Sequence, residues 1–324
     1  KQRHGNSKPA TAITLNLNDF NLIKLSTARH FVAAINQGST VKKAIFYSSI
    51  GGVLEFYDFI IFAIFAPAIS ATFFPSHSQA AGLLLTFSIF AAGYLTRPIG
   101  GVIFGHFGDK YGRKKTFTFS IIMMALSTFC IALVPPYSKI GVLAPILLTL
   151  LRLAQGASIG GEIPAAITFI SETAVKIKTL ACALVFLGLV CGIIIGELVS
   201  HGLTTLLPPP VMLDYGWRIA FILGGVFGLW GFYLRRKLVE TPLFKHMQTL
   251  KVKVPFLTVI KKYPLQVFSG WALMGLVSAG IMVLFLIMPA YSKLTNISAG
   301  DVWSINTVVL LTVSLASVLF GYLG

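Results

Sequence analysis

Four ionisable side chains stand inside apolar runs where a lipid-facing helix carries none. Glu55 and Asp58 lie within residues 44–74, Arg97 within 80–107 and Arg152 within 142–171. Counted from one side at about 1.5 Å per helical residue, Glu55 and Asp58 lie about 18 and 22 Å in and Arg97 about 18 Å in; Arg152, entering from the opposite side, reaches about 15 Å. Two acids and two guanidinium groups therefore meet at a common depth. On insertion scales an ionisable group there costs at least about 2.5–3.5 kcal/mol, so it faces a partner or a watery cavity. Two readings follow: a static ion-pair cluster tying helices together, or a functional cluster that handles protons or a charged solute. Glu55 and Asp58 share one face of one helix, which favours the second reading. A carboxyl group beside an arginine is under opposed influences, desolvation favouring its neutral form and the guanidinium its charged form. Moving the arginine would then switch its proton affinity.

Such residues need long apolar helices to hold them. Of the 324 residues, 56% are hydrophobic and 11% charged, far too apolar for a soluble protein. Runs at 44–74, 80–107, 116–134, 142–171, 179–207, 217–234, 264–291 and 302–324 each reach roughly the 20 residues that a crossing requires. The expected class is an all-α membrane protein with about eight spans. The net charge of +16 follows topology: 21 of the 26 Lys and Arg fall in residues 1–43 and the connections after spans two, four and six, against two in the alternate connections. That bias predicts a cytoplasmic N-terminus. It also argues against a nucleic-acid partner, which needs a basic face on a soluble domain. Cys130, Cys182 and Cys191 all fall inside apolar runs, where a thiol is usually a small buried hydrophobe, so no disulfide or metal site is implied. Residues 1–43 lack the pattern of a cleaved signal peptide, so the first span is expected to direct its own insertion.

Between the second and third runs stands GHFGDKYGRKK, at 105–115, expected as a tight basic loop. Its pattern, G-x-x-x-D-[RK]-x-G-R-[KR]-[KR], resembles the signature loop between helices two and three of the major facilitator superfamily of secondary transporters. A generic positive-inside turn needs neither the acid nor the glycine spacing. Further segments narrow the resemblance: GGVLEFYDF at 51–59, RPIGG at 97–101, RLAQGASIGGE at 152–162, YGWR at 215–218 and ETP at 240–242. As a set, across about residues 50–244, they are similar to the metabolite:proton symporter family, which includes proline/betaine, 2-oxoglutarate, citrate and shikimate carriers.

The run from Arg152 to Gln155 and Gly156 resembles the superfamily's fourth-helix motif, whose arginine is associated with proton transfer and substrate coupling. On that resemblance Asp58 is expected as proton acceptor, Arg152 as its switchable partner and Glu55 as a second carboxylate. Arg97, Gln155 and Glu162 are assigned to substrate binding or ion pairing; for Glu162 the choice lies between lining a vestibule and pairing with a neighbour. Gly105, Asp109, Gly112, Arg113 and Glu172 form the expected conformational gate, with Glu172 either the partner of Arg113 or an ordinary interfacial acid. Glu197 is assigned to the outer interface and Arg218, beside Trp217, to interfacial anchoring. Gly188, Gly192 and Gly196 predict close helix packing. The fifth run lacks the Gly-Pro pair of the superfamily's antiporters, which points towards symport. GASIG at 156–160 matches a hydrolase nucleophile pattern but lies mid-span, without the required strand-turn-helix context. Asn296 heads a glycosylation acceptor that matters only in a secretory pathway.

The resemblance implies two parallel six-helix halves, and a repeat supports it: FGHFG at 104–108 ends the second run and FGYLG at 320–324 the eighth. The expected division is a cytoplasmic tail (1–43), a six-helix bundle (44–234), a basic linker (235–263) and the first two helices of an incomplete second bundle (264–324). The function expected is proton-coupled symport of a small polar metabolite by alternating access, with proline or betaine the first substrate and a small carboxylate the second. No enzyme chemistry and no cofactor are expected beyond the proton gradient. The partners are solute, protons and lipid, the chain a monomer, and the location a bacterial inner membrane. A solute sensor without net flux and an inactive fragment are the alternatives.

Overall fold

The computed structural model describes residues 17–75, 78–236, 255–282 and 299–323. These fall into two compact units, residues 1–42 and 43–324. All regular structure among the described residues is helical. In chain order the helices are α1 (Leu17–Ile64), α2 (Ala66–Phe73), α3 (Gln79–Tyr111), α4 (Arg113–Leu133), α5 (Tyr137–Ile140), α6 (Leu143–Thr173), α7 (Lys178–Leu206), α8 (Pro209–Val211), α9 (Trp217–Arg235), α10 (Pro255–Lys262), α11 (Pro264–Met282) and α12 (Ala299–Leu323). Among the described residues, six segments are long and apolar enough to cross a membrane: Val41–Ile64, Gln79–Gly108, Lys114–Leu133, Leu143–Thr173, Val175–Leu206 and Pro209–Arg235. They coincide with the first six apolar runs. The expected seventh run ends beyond the described residues, and the eighth corresponds to α12.

Two expectations about helix boundaries need correction. The first run is not one helix, because Phe65 leaves helical geometry and α2 restarts at Ala66. Pro67, in the first turn of α2, cannot supply the backbone donor that a continuous helix would need there. The basic signature is not a loop either: α3 continues through Asp109 to Tyr111 and α4 begins at Arg113. Gly112 alone reverses the chain, at φ 111, a backbone region that L side chains rarely adopt. A single permissive residue thus replaces the turn expected from a whole polar stretch.

Helix α3 packs most extensively on α6, while α4 packs on α9 and α6. The α3–α6 contact is backbone against backbone. A Cβ at Gly100 would overlap the Ala157 carbonyl, one at Gly156 the Gly93 carbonyl, and one at Gly160 the Arg97 carbonyl. Thr96 adds a hydrogen bond to the Leu153 carbonyl at 3.0 Å. The GASIG segment is therefore a helix-packing surface. On α7 the stripe Gly188, Gly192 and Gly196 lies against Ser49, Val53, Tyr57 and Ile60 of α1. The main apolar core gathers Tyr57, Phe62, Phe73, Trp217 and Phe221, and the Tyr57 hydroxyl donates to the Ala220 carbonyl at 2.8 Å. Arg218 donates to the carbonyls of Ala132 and Val134 at 2.5 and 2.8 Å, so it closes the C-terminal end of α4 besides stacking on Trp217. Cys182 and Cys191 are half-buried and Cys130 is exposed, which corrects the expectation that all three are buried. Helix α12 lies along α7.

Candidate functional site

Three helices bring one polar cluster into the core. Asp58 comes from α1, Thr128 from α4, and Arg152 and Gln155 from successive turns of α6. Arg152 pairs with Asp58 Oδ2 through Nη1 at 3.2 Å and donates to Gln155 Oε1 at 2.6 Å. Gln155 Nε2 donates to Asp58 Oδ2 at 2.7 Å and to Thr128 Oγ1 at 2.8 Å. The Thr128 hydroxyl lies 3.0 Å from both Asp58 Oδ1 and the Met124 carbonyl, and its one proton serves either. All four side chains are buried. The Arg152 guanidinium also lies over the rings of Phe62 and Phe90, at 4.2 and 5.1 Å. The charge pair is thus held in hydrogen bonds and aromatic faces within an apolar shell.

Glu55, one turn before Asp58 on α1, meets Arg97 of α3 at 3.5 Å. Glu55 is fully buried whereas Arg97 is partly exposed, with its guanidinium 4.1 Å from the centre of the Tyr94 ring. The four residues of matching depth thus form two adjacent pairs.

A third pair escaped the sequence reading. Arg235 falls in the stretch expected as the basic linker, yet it ends α9 fully buried and pairs with Glu162. Glu162 accepts a further bond from Ser120 Oγ at 2.5 Å. Arg235 donates to the Tyr47 and Phe117 carbonyls and lies 3.7 Å from the centre of the Phe117 ring. Four helices converge on this pair. A basic residue at the end of an apolar run carries no mark separating it from a solvated neighbour; the buried acid Glu162, which needs a cation, was the available signal. Thr128 was missed because a hydroxyl in an apolar run is ordinarily satisfied by its own helix.

Of the gate residues, Gly105 lies on α3 with open space beside it, and Gly112 makes the turn into α4. Glu172 sits in the last turn of α6. The side chains of Asp109 and Arg113 lie outside the described residues, and so does the expected pairing of Arg113 with Glu172.

With intramembrane ion pairs and the Gly112 turn in place, the sequence profile described as Major Facilitator Superfamily matches residues 48–324. The chain belongs to the Major Facilitator Superfamily. Members of this superfamily are transporters and not enzymes, and the chain is a multi-pass membrane protein. It is homologous to proline/betaine transporters of the metabolite:proton symporter family. A "Putative proline/betaine transporter" of Staphylococcus aureus (strain MSSA476) is 41% identical over 232 residues, covering 70% of this chain and 50% of the relative. The "Glycine betaine/proline/ectoine/pipecolic acid transporter OusA" of Dickeya dadantii (strain 3937) is 40% identical, with coverage of 68% and 44%. The "Proline/betaine transporter" of Escherichia coli (strain K12) is 35% identical, with coverage of 80% and 54%. The chain spans about half the length of these curated relatives. Among solved structures, the proton:xylose symporter XylE bound to 6-bromo-6-deoxy-D-glucose superposes with a TM-score of 0.69 at 15% identity, over 87% of this chain and 69% of that one. That likeness establishes the superfamily fold.

Proposed function

We propose that this chain forms part of a proton-coupled symporter that carries a small zwitterionic osmolyte of the proline or betaine kind by alternating access. The reading places it in a bacterial cytoplasmic membrane with the N-terminus inside. The observation that carries it is the Asp58–Arg152 pair, bridged by Gln155 and Thr128 across three helices. A proton arriving on Asp58 removes the charge that Arg152 faces, and the guanidinium must then seek another partner. Because the bridging groups sit on α1, α4 and α6, that change bears directly on how the three helices pack. Glu55 is the second carboxylate in this scheme; Arg97, Gln155 and Glu162 pair ions or bind solute. Gly105, Asp109, Gly112, Arg113 and Glu172 make up the gate. Residues 44–235 act as the first bundle, with Arg235 closing it from the end of α9, 236–263 as the linker and 264–324 as part of a second bundle.

The test is uptake by the complete gene product in sealed proteoliposomes with an imposed pH gradient, inside alkaline. Labelled L-proline and glycine betaine should accumulate, and a protonophore should abolish accumulation. Saturable binding of either solute without gradient-driven accumulation contradicts the symport reading.

A further inference from the structure

We propose that Glu55 and Arg97 form a clasp for the two ends of a zwitterion, Arg97 taking its carboxylate and Glu55 its ammonium or quaternary nitrogen. This rests on the solute class given above and moves Glu55 from the proton path to the solute site.

Among the described residues, the three buried carboxylates are differently served. Asp58 receives bonds from Thr128, Gln155 and Arg152, and Glu162 from Ser120 besides its arginine pair. Among the described residues neither oxygen of Glu55 has a hydrogen-bond donor, although the side chain is 0% exposed. Its ion pair with Arg97 Nη1, at 3.5 Å, is not a hydrogen bond. A buried carboxylate without protein donors is expensive, so Glu55 is poised to take a donor from a bound solute. Arg97 has capacity to spare as well: its side chain is 27% exposed and Nε has no partner.

The wall beside the pair is aromatic. Tyr94, whose ring Arg97 covers, packs on Phe59 and Phe90 with centroids 6.1 and 5.5 Å apart. Phe59 and Phe90 are 5.1 Å apart. An aromatic wall on the arginine side of the acid suits an alkylated ammonium, secondary or quaternary, better than a heavily hydrated one. A zwitterion meets both charges at once and leaves the site electrically balanced. A simple anion would engage Arg97 and draw it from Glu55, whose one cation partner among the described residues it is; a simple cation would do the converse. Each leaves a buried charge unpaired, so the clasp selects molecules carrying both.

The experiment uses the purified complete gene product in nanodiscs and equilibrium binding of labelled L-proline. The competitor is cyclopentanecarboxylate, which keeps the ring and carboxylate and lacks the nitrogen. Wild type should prefer proline by about tenfold or more, the worth of a charge-assisted hydrogen bond. Glu55→Gln should lose that preference by weakening proline towards the competitor. Arg97→Gln should weaken both compounds together. Glu55→Asp, which keeps the charge on a shorter arm, should retain the preference with lower affinity and excludes general misfolding as the cause. A Glu55→Gln protein that still discriminates as wild type does overturns the clasp while leaving the symporter reading intact. Failure of wild type to bind either proline or glycine betaine overturns the solute assignment and the clasp with it.

Discussion

Thr128 shows how an uncharged side chain completes a charged site. Its hydroxyl touches both Asp58 and Gln155, so Thr128→Val would leave Asp58 Oδ1 without its neighbour at almost unchanged volume. The expected cost is about 1–3 kcal/mol, the usual penalty for an orphaned buried polar atom. A thermal unfolding midpoint measured in detergent should fall, and gradient-driven uptake should fall further than solute binding. Arg235→Ala removes the only cation paired with Glu162 among the described residues, and should destabilise by about 3–5 kcal/mol. Glu162→Gln in the same protein should recover part of that loss, because the orphaned charge goes with it. A double variant no more stable than Arg235→Ala would show that the pair is not the source of the cost. The sequence made Asp58 and Arg152 conspicuous because charge at that depth is rare. It concealed Arg235, which stands at the end of an apolar run like any interfacial basic residue. Depth was legible; helix rotation, which decides who pairs with whom, was not.

At the scale of the helix, hydropathy located all six described spans, since crossing length and apolar content are local properties. It could not show that α3 outlasts its apolar run through the basic signature, or that α1 breaks at Phe65. Those depend on single residues, Gly112 and Pro67, whose effect is conformational and leaves no mark in hydropathy. The mutual approach of α3 and α6 rests on glycine positions that read equally as generic small residues. Gly156→Ala and Gly160→Ala should therefore lower the unfolding midpoint, because each methyl group meets a carbonyl of α3. Gly202→Ala, with open space beside it on α7, is the control and should not lower it. Equal effects at all three positions would remove close packing as the reason.

For the whole protein, the proposed orientation rests on charge bias alone. In the complete gene product with its native cysteines replaced, a cysteine at Lys139 should react with an impermeant thiol reagent added outside intact cells, and one at Lys114 should not. Labelling at Lys114 would reverse the topology and with it the direction of every proposed step. The relation between proton and solute is the claim on which the rest depends, and Asp58→Asn in reconstituted complete protein addresses it most directly. The amide cannot take up a proton yet keeps the shape of the site. The expected result is retained exchange of labelled proline across the membrane with no accumulation under an imposed pH gradient. Accumulation at the wild-type level by Asp58→Asn would show that the proton travels elsewhere.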